Sequence, residues 1–248
     1  MYFSLFYLFN FAKFTLEKKF NFNNNYMFEQ ISDLHLKILN QTNVEEIPIM
    51  LEFQNKKSEK QNGIIQNYNF KNNYFRKVRL SYFNSDDKQM FNSVWYPSYD
   101  YDCPILTIDL VNFGKNESIF FLNFIDIYKD KFYEKKYIYP LLEIKKNYKL
   151  FYNNNISTHL THYKNFLSKS FLYGRLNKSE IETLLPEILE KYFDKYLHYF
   201  LRKPINRYFI EEKHREYNTL RKDIESKYIT KEYFDDDWFN RLVIEINR

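Results

Sequence analysis

Residues 90–114 read MFNSVWYPSYDYDCPILTIDLVNFG, from Met90 to Gly114. Two apolar runs, Phe91 to Tyr96 and Ile105 to Val111, have the composition of β-strands. Between them stand Pro97, Asp100, Asp102 and Pro104. Each proline fixes its own φ and drives the preceding residue to an extended conformation, so the stretch reads as strand, tight connection, strand. The second run carries one carboxylate, Asp109, among Ile105, Leu106, Ile108, Leu110 and Val111. An acid in that company sits on a solvated face or points into a pocket, because aspartate is almost never fully buried without a partner.

Working outward, Tyr74 to Phe83 and Ser118 to Ile125 are further strands. If Val78 and Leu80 face a core, Arg79 and Ser81 face the other side, because strand side chains alternate. Asp86-Asp87 and Lys115-Asn116-Glu117 suit turns, and strands joined by short polar turns predict an antiparallel meander. Helical spacing predicts helices over Met27 to Leu39, Lys129 to Lys149 (broken at Pro140) and Thr158 to Tyr173. A further helix begins near Glu180, capped by Ser179 with Glu182 at the capping-box distance, and runs through Leu197 to an end at Pro204. Tyr208 to Tyr228 and Trp238 to Ile246 complete the set. Strands first and helices afterwards indicate an α+β layered domain.

At 248 residues the chain is long enough for a substantial core. Its 26 Phe and 24 Tyr supply most of the apolar mass, and with abundant Asn, Lys and Ile they have the character of A/T-rich coding. A lone Cys103 excludes an intramolecular disulfide and a cysteine-built zinc or iron–sulfur site within the chain. The formal charge of +5 favours an acidic partner or weak nucleic-acid affinity, and no nucleic-acid-binding signature accompanies it. His159 and His162 are three residues apart, but no nearby carboxylate or cysteine completes a metal site, so no metal is expected. Phosphate-binding glycine loops, dinucleotide fingerprints and serine-nucleophile elbows are missing from the sequence. Met1 to Ala12 is apolar but too short to span a bilayer, so no membrane association is expected. Residues 1–26 read as an N-terminal extension or leader, with Met27 a second candidate start, and residues 27–248 as a single domain.

The central stretch resembles the signature of the ferredoxin-dependent bilin reductases. The resemblance rests on Phe91-Asn92-Ser93-Val94, Tyr96-Pro97, Tyr101-Asp102, Pro104, Asp109-Leu110 and Phe113-Gly114. Flanking support comes from Ile64-Ile65-Gln66, Phe75-Arg76, Arg79, Phe171-Leu172-Tyr173, Arg175 and Trp238-Phe239-Asn240-Arg241, so the likeness runs from about Met27 to the C-terminus. It implies a three-layer α/β/α sandwich with a central antiparallel sheet flanked by helices. It also implies reduced ferredoxin as electron donor, no bound metal or organic cofactor, and biliverdin IXα as substrate.

Within that resemblance Asp109 is the candidate proton donor, since burial disfavours a carboxylate anion and keeps the acid protonated. Asn92 stands where some members carry a histidine, which points to the branch that reduces biliverdin to 15,16-dihydrobiliverdin in phycoerythrobilin synthesis. Arg79 and Arg175 are candidate partners for the propionates, Ser81 for a nearby hydrogen bond, and Asn218 occupies the position of a second acid of the family. Asn123, Asp126 and Thr107 also depart from the family pattern. Four-electron reduction to phycoerythrobilin and a bilin carrier without turnover are the alternatives. A monomer working beside the next bilin reductase, in the plastid stroma or a cyanobacterial cytoplasm, completes the expectation.

Overall fold

In the computed structural model, the strands on either side of the Pro97–Pro104 connection pair at the centre of one antiparallel sheet. The structure describes residues 45–47, 49, 55–58, 60–113, 117–148, 151, 166–200, 207–225 and 233–247. The strands are β1 (Glu45–Ile47), β2 (Asn55–Lys57), β3 (Gly63–Lys71), β4 (Phe75–Ser85), β5 (Gln89–Pro97), β6 (Ile105–Asn112), β7 (Glu117–Ile125) and β8 (Leu172–Asn177). The sheet order is β1-β3-β4-β5-β6-β7-β8, and β2 pairs with β3 along the edge that β1 also uses. From β3 to β7 each strand pairs with its sequence neighbour, the expected meander.

The helices are α1 (Lys131–Tyr133), which passes through a π-helical turn (Glu134–Ile138) into α2 (Tyr139–Lys145), then α3 (Lys178–Tyr199), α4 (Arg207–Glu225) and α5 (Asp236–Asn247). Pro140 explains the π-turn. In a regular helix its ring would strike the carbonyl four residues back, and it has no N–H to donate. Widening the helix just before Pro140 places it in the first turn of α2, where that N–H is not required.

Alternation along the strands makes two unlike faces. On one, Leu80, Phe91, Trp95, Leu106, Ile108, Phe120, Leu122 and Phe124 pack against Leu141 of α2 and against Leu185, Leu189, Tyr192 and Tyr196 of α3. Many of the described aromatic residues pack here, with edge-to-face contacts such as Phe75–Trp95 at 5.0 Å and Trp95–Phe193 at 5.0 Å. Two buried tyrosine hydroxyls of α3 find acceptors: Tyr196 donates to the Pro104 carbonyl at 2.7 Å and Tyr199 to that of Tyr137 at 2.8 Å.

Among the described residues, helices pack on the second face at its two ends. At one end α5 brings Trp238, Phe239 and Leu242 onto Ile65 and Phe83. At the other, Tyr217 of α4 joins Val94, Tyr96, Ile105 and Ile125. The chain is thus an α/β/α sandwich about an antiparallel sheet, as the resemblance implied.

Several local expectations need correction. The helix anticipated over Thr158 to Tyr173 does not reach its end: Leu172–Asn177 is a strand, with Leu172, Gly174 and Leu176 buried in period two. The free edge of β7 supplies backbone partners that a lone helical turn cannot match. Because β8 follows α2, strands and helices are not segregated along the chain. The cap of α3 is Asn177, whose side chain accepts from Glu180 N–H while Glu180 reaches back, so the capping box lies two residues before Ser179. The α3 helix ends at Tyr199, and Pro186 is carried inside it. Residues 1–39, His159, His162 and Pro204 lie outside the described residues.

Candidate active site

Directly opposed residues of antiparallel strands share a face, so the register decides which polar side chains meet. One row across the sheet is Asn67, Ser81, Asn92, Asp109, Phe121 and Tyr173, on β3 to β8 in turn. Two residues along lies a second row on the same face: Asn69, Arg79, Val94, Thr107 and Asn123. These rows cross the middle of the second face, between the clusters built around α5 and Tyr217. Ser81, Asn92, Asp109, Phe121 and Tyr173 are half-buried, whereas Arg79 beneath them is only 3% exposed. The carboxyl therefore faces neither bulk water nor a sealed core. It lies on the stretch of sheet between the two apolar clusters.

The side chains of this stretch form a directed relay. An Arg79 guanidinium nitrogen donates to Asn92 Oδ1 at 2.6 Å, and Asn92 Nδ2 donates to Asp109 Oδ1 at 2.5 Å. Arginine can only donate and a carboxylate only accepts, so Asn92 has one admissible orientation. Flipping its amide would set NH₂ against the guanidinium and oxygen against the carboxylate. Beside the relay, Ser81 donates its hydroxyl to Asn67 Oδ1 at 2.7 Å.

The remaining candidates are more dispersed. Arg175 is exposed on β8, two residues beyond Tyr173 on the same face. It stands two strands from Asp109, roughly 10 Å in the pairing direction at ~4.8 Å per strand. Asn218 lies half-buried on α4, its Oδ1 shielded from solvent without a hydrogen-bond partner among the described residues.

Departures from the family pattern have local explanations. Asn123 donates from Nδ2 to the Phe166 carbonyl at 2.8 Å, while its Oδ1 accepts from Ser168 N–H at 3.0 Å and Ser168 hydroxyl at 3.1 Å. An aspartate lacks that donor, so the amide is what ties the 166–170 segment to β7. Asp126 accepts from the backbone N–H of Tyr128 and Lys129 at 3.0 and 2.9 Å, fixing a turn in which Lys129 takes φ 51°. Thr107 is buried on the site face beside Asn123 and reaches its carbonyl at 3.5 Å.

Some polar residues on this face escaped the sequence reading. Asn67 and Asn69 are buried there at 1% and 5% exposure, and only the register reveals it. A β-bulge between Phe75 and Lys77 sets two successive cations against Tyr96, Arg76 at 4.7 Å and Lys77 at 5.8 Å from its ring centroid. Above them, His214 of α4 is fully buried, with Tyr99 edge-on at 5.6 Å and an Arg76 nitrogen 3.5 Å from Nδ1. Burial, aided by the Arg76 charge, pushes the His214 pKa down to about 3. Its ring is therefore neutral at physiological pH.

Among the described residues no group of histidine, cysteine and carboxylate side chains is placed to hold a metal ion, and no helix is long and apolar enough to cross a membrane.

Comparison with known proteins places this geometry. The chain is 27% identical over 226 residues to 15,16-dihydrobiliverdin:ferredoxin oxidoreductase of Prochlorococcus marinus (strain AS9601), covering 88% of this chain and 94% of that one. The protein of that name from Nostoc punctiforme is 30% identical over 151 residues, 60% of this chain and 62% of its own. Among solved structures, phytochromobilin synthase from tomato, crystallised in complex with biliverdin, superposes with a TM-score of 0.73 at 17% identity, over 88% of this chain and 84% of that one, a likeness of fold. The sequence model of the ferredoxin-dependent bilin reductases matches residues 32–246, which include every strand of the sheet and the whole Arg79–Asn92–Asp109 relay. With fold and sequence in agreement, the chain belongs to the ferredoxin-dependent bilin reductase family, enzymes that reduce a bilin with electrons from ferredoxin.

Proposed function

We propose that this enzyme reduces biliverdin IXα at its 15,16 methine bridge, giving 15,16-dihydrobiliverdin on the route to phycoerythrobilin. The observation that carries the reading is a carboxyl, Asp109, half-buried between two apolar clusters on one face of the sheet and oriented by an amide that a buried arginine holds in place. Its supports are the names of the relatives and the stretch of sheet between two apolar clusters, a wide surface suited to a flat conjugated ligand.

The reaction adds two electrons and two protons across one carbon–carbon double bond. Two reduced ferredoxins each give one electron and leave oxidised. Each added electron makes the conjugated pigment more basic, so a proton follows. Asp109 delivers one proton, is reprotonated from solvent, and water supplies the other. The seated pigment excludes the water that stabilises the carboxylate, which favours the acid form when it is needed. Asn92 holds the carboxyl in line and contacts a pyrrole nitrogen or lactam oxygen, but does not titrate. Arg79, buried and engaged with Asn92, anchors that amide in the pigment-free chain, while exposed Arg175 is placed to take a propionate as a bidentate pair. Ser81 offers a further hydroxyl. Residues 27–248 constitute the reductase domain in this reading, and the plastid stroma its location.

The test is an anaerobic assay with biliverdin and reduced ferredoxin, followed by chromatography. Loss of the biliverdin band with a blue-shifted product that co-elutes with 15,16-dihydrobiliverdin is expected. Phycoerythrobilin as sole product would replace the two-electron reading, and tight binding without any ferredoxin-dependent change would reduce the protein to a carrier.

A further inference from the structure

Buried polar atoms lacking a partner are few in folded proteins, and a missing ligand is one of their explanations. Among the described residues such atoms on the site face include His214 Nε2, Asn218 Oδ1, Asn69 Oδ1 and Arg76 Nε. Two of them, His214 and Asn218, are four residues apart on α4 and so lie one above the other on the same helical face. Their protonation is determined. Arg76 can only donate, so the Nδ1 atom it approaches at 3.5 Å carries the lone pair and Nε2 carries the proton. The ring stays neutral because Arg76 and burial both oppose a second proton. The pair thus presents one N–H donor and one amide acceptor a helical turn apart, both without a hydrogen-bond partner among the described residues.

A terminal lactam has the complementary pattern, a carbonyl acceptor next to an N–H donor. We propose that His214 Nε2–H and Asn218 Oδ1 together grip a terminal lactam ring of the bilin, the histidine donating to its carbonyl and the asparagine accepting from its N–H. This rests on the bilin reading given above and names the contact that sets which bridge meets Asp109. His214 joins the sheet through Arg76, whose guanidinium lies on Tyr96. Tyr96 is four residues along β5 from Asn92, about 13 Å at ~3.3 Å per residue. A chain of four linked pyrrole-type rings spans such a distance, so one terminal ring on α4 leaves the methine bridge nearest the opposite end, where the 15,16 bridge lies, over the carboxyl. Because both gripping atoms are shielded from water, α4 must ease off the sheet to admit the ring and then close on it. As an amide, Asn218 positions this ring and cannot protonate it, which confines proton delivery to the bridge above Asp109.

The experiment is ¹⁵N NMR of histidine-labelled protein with and without biliverdin, together with biliverdin titrations of the wild type, His214→Leu and His214→Gln. In the pigment-free protein the His214 signals should be those of the neutral Nε2–H form at pH 7, and the Nε2–H proton should move downfield when biliverdin is added. His214→Leu should bind biliverdin about ten- to a hundredfold more weakly, the cost of leaving a lactam carbonyl unpaired, and His214→Gln, which keeps a donor near that point, should recover most of it. An Nε2–H resonance that biliverdin leaves unmoved overturns the proposal even if a variant fails to fold. So does a folded His214→Leu protein that binds within about twofold of wild type, a change too small for a buried hydrogen bond. A wild-type protein that does not bind biliverdin at all removes the bilin reading and this inference with it. Normal wild-type binding with an indifferent His214 removes the inference alone.

Discussion

Asp109→Asn separates catalysis from architecture more cleanly than any other single change. The substituted side chain has the same shape, and its carbonyl oxygen can still accept the Asn92 Nδ2–H that Asp109 accepts at 2.5 Å. What changes structurally is a charge-assisted hydrogen bond becoming a neutral one, about half as strong, which amounts to ~1 kcal/mol. For a chain of this size that moves the melting temperature by only about 2–4 °C. Biliverdin binding should hold, since the apolar clusters and α4 are untouched. Chemistry should not, because a positioned acid contributes about 10²–10⁴ in rate. That corresponds to ~3–5 kcal/mol on the barrier, several times the stability change. The measurement is a single-turnover reaction under anaerobic conditions with excess reduced ferredoxin, following the biliverdin absorbance, alongside a melting curve and a binding titration. A variant that melts and binds like wild type but reacts at least a hundredfold more slowly agrees with the assignment. Turnover within tenfold of wild type would refute Asp109 as the acid.

Other expectations follow from the same contacts. Asn92→Leu removes the contacts to both Arg79 and Asp109 and should cost about 2–4 kcal/mol in urea unfolding, two charge-linked hydrogen bonds less what water restores at the half-open site. Asn123→Asp replaces the donor to the Phe166 carbonyl with an acceptor, and a loss of about 2 kcal/mol in the same assay is expected; an unchanged midpoint would mean the 166–170 segment is held otherwise. The folded-state pKa of His214, about 3, lies below its ordinary 6.5, so the unfolded chain takes up this proton first as pH falls. Its contribution to stability is complete above pH 6.5 and is lost on acidification from there towards pH 3, at about 1.4 kcal/mol per pH unit. His214→Gln should flatten the wild-type slope between pH 6 and 4 by that amount, and parallel slopes would contradict it. Asn177→Ala breaks the capping box of α3 and should cost about 1 kcal/mol, read as a lower urea midpoint at unchanged slope.

The strand pair around Pro97 and Pro104 could be read from composition because buried central strands are continuous apolar runs and proline excludes helix. Alternation likewise separated Val78 and Leu80 from Arg79 and Ser81, and the structure keeps them on opposite faces. Failure came where a short segment depends on what lies beside it. Leu172–Asn177 has too few residues to declare a period, and the exposed edge of β7 makes it a strand. Asn177 outcompetes Ser179 as cap because β8 ends there and fixes where α3 can begin. His214 is one of the chain's five histidines and stands in a polar helix, where nothing local distinguishes it. Its depressed pKa comes first from burial within the fold and then from Arg76, 138 residues earlier, which a bulge turns onto the site face.

Local chemistry alone thus settled the central strands, the single acid among them and the sides on which Arg79 and Ser81 stand, since backbone alternation and proline geometry act over a few residues. Whether Asn92 meets Asp109 depends on the β5–β6 register, and a slip of one residue would send the two to opposite faces. That register is imposed by packing across the whole sheet, because a seven-residue connection from Ser98 to Pro104 leaves it free. The tertiary structure alone made a relay of three residues from three strands, and a buried donor of a histidine.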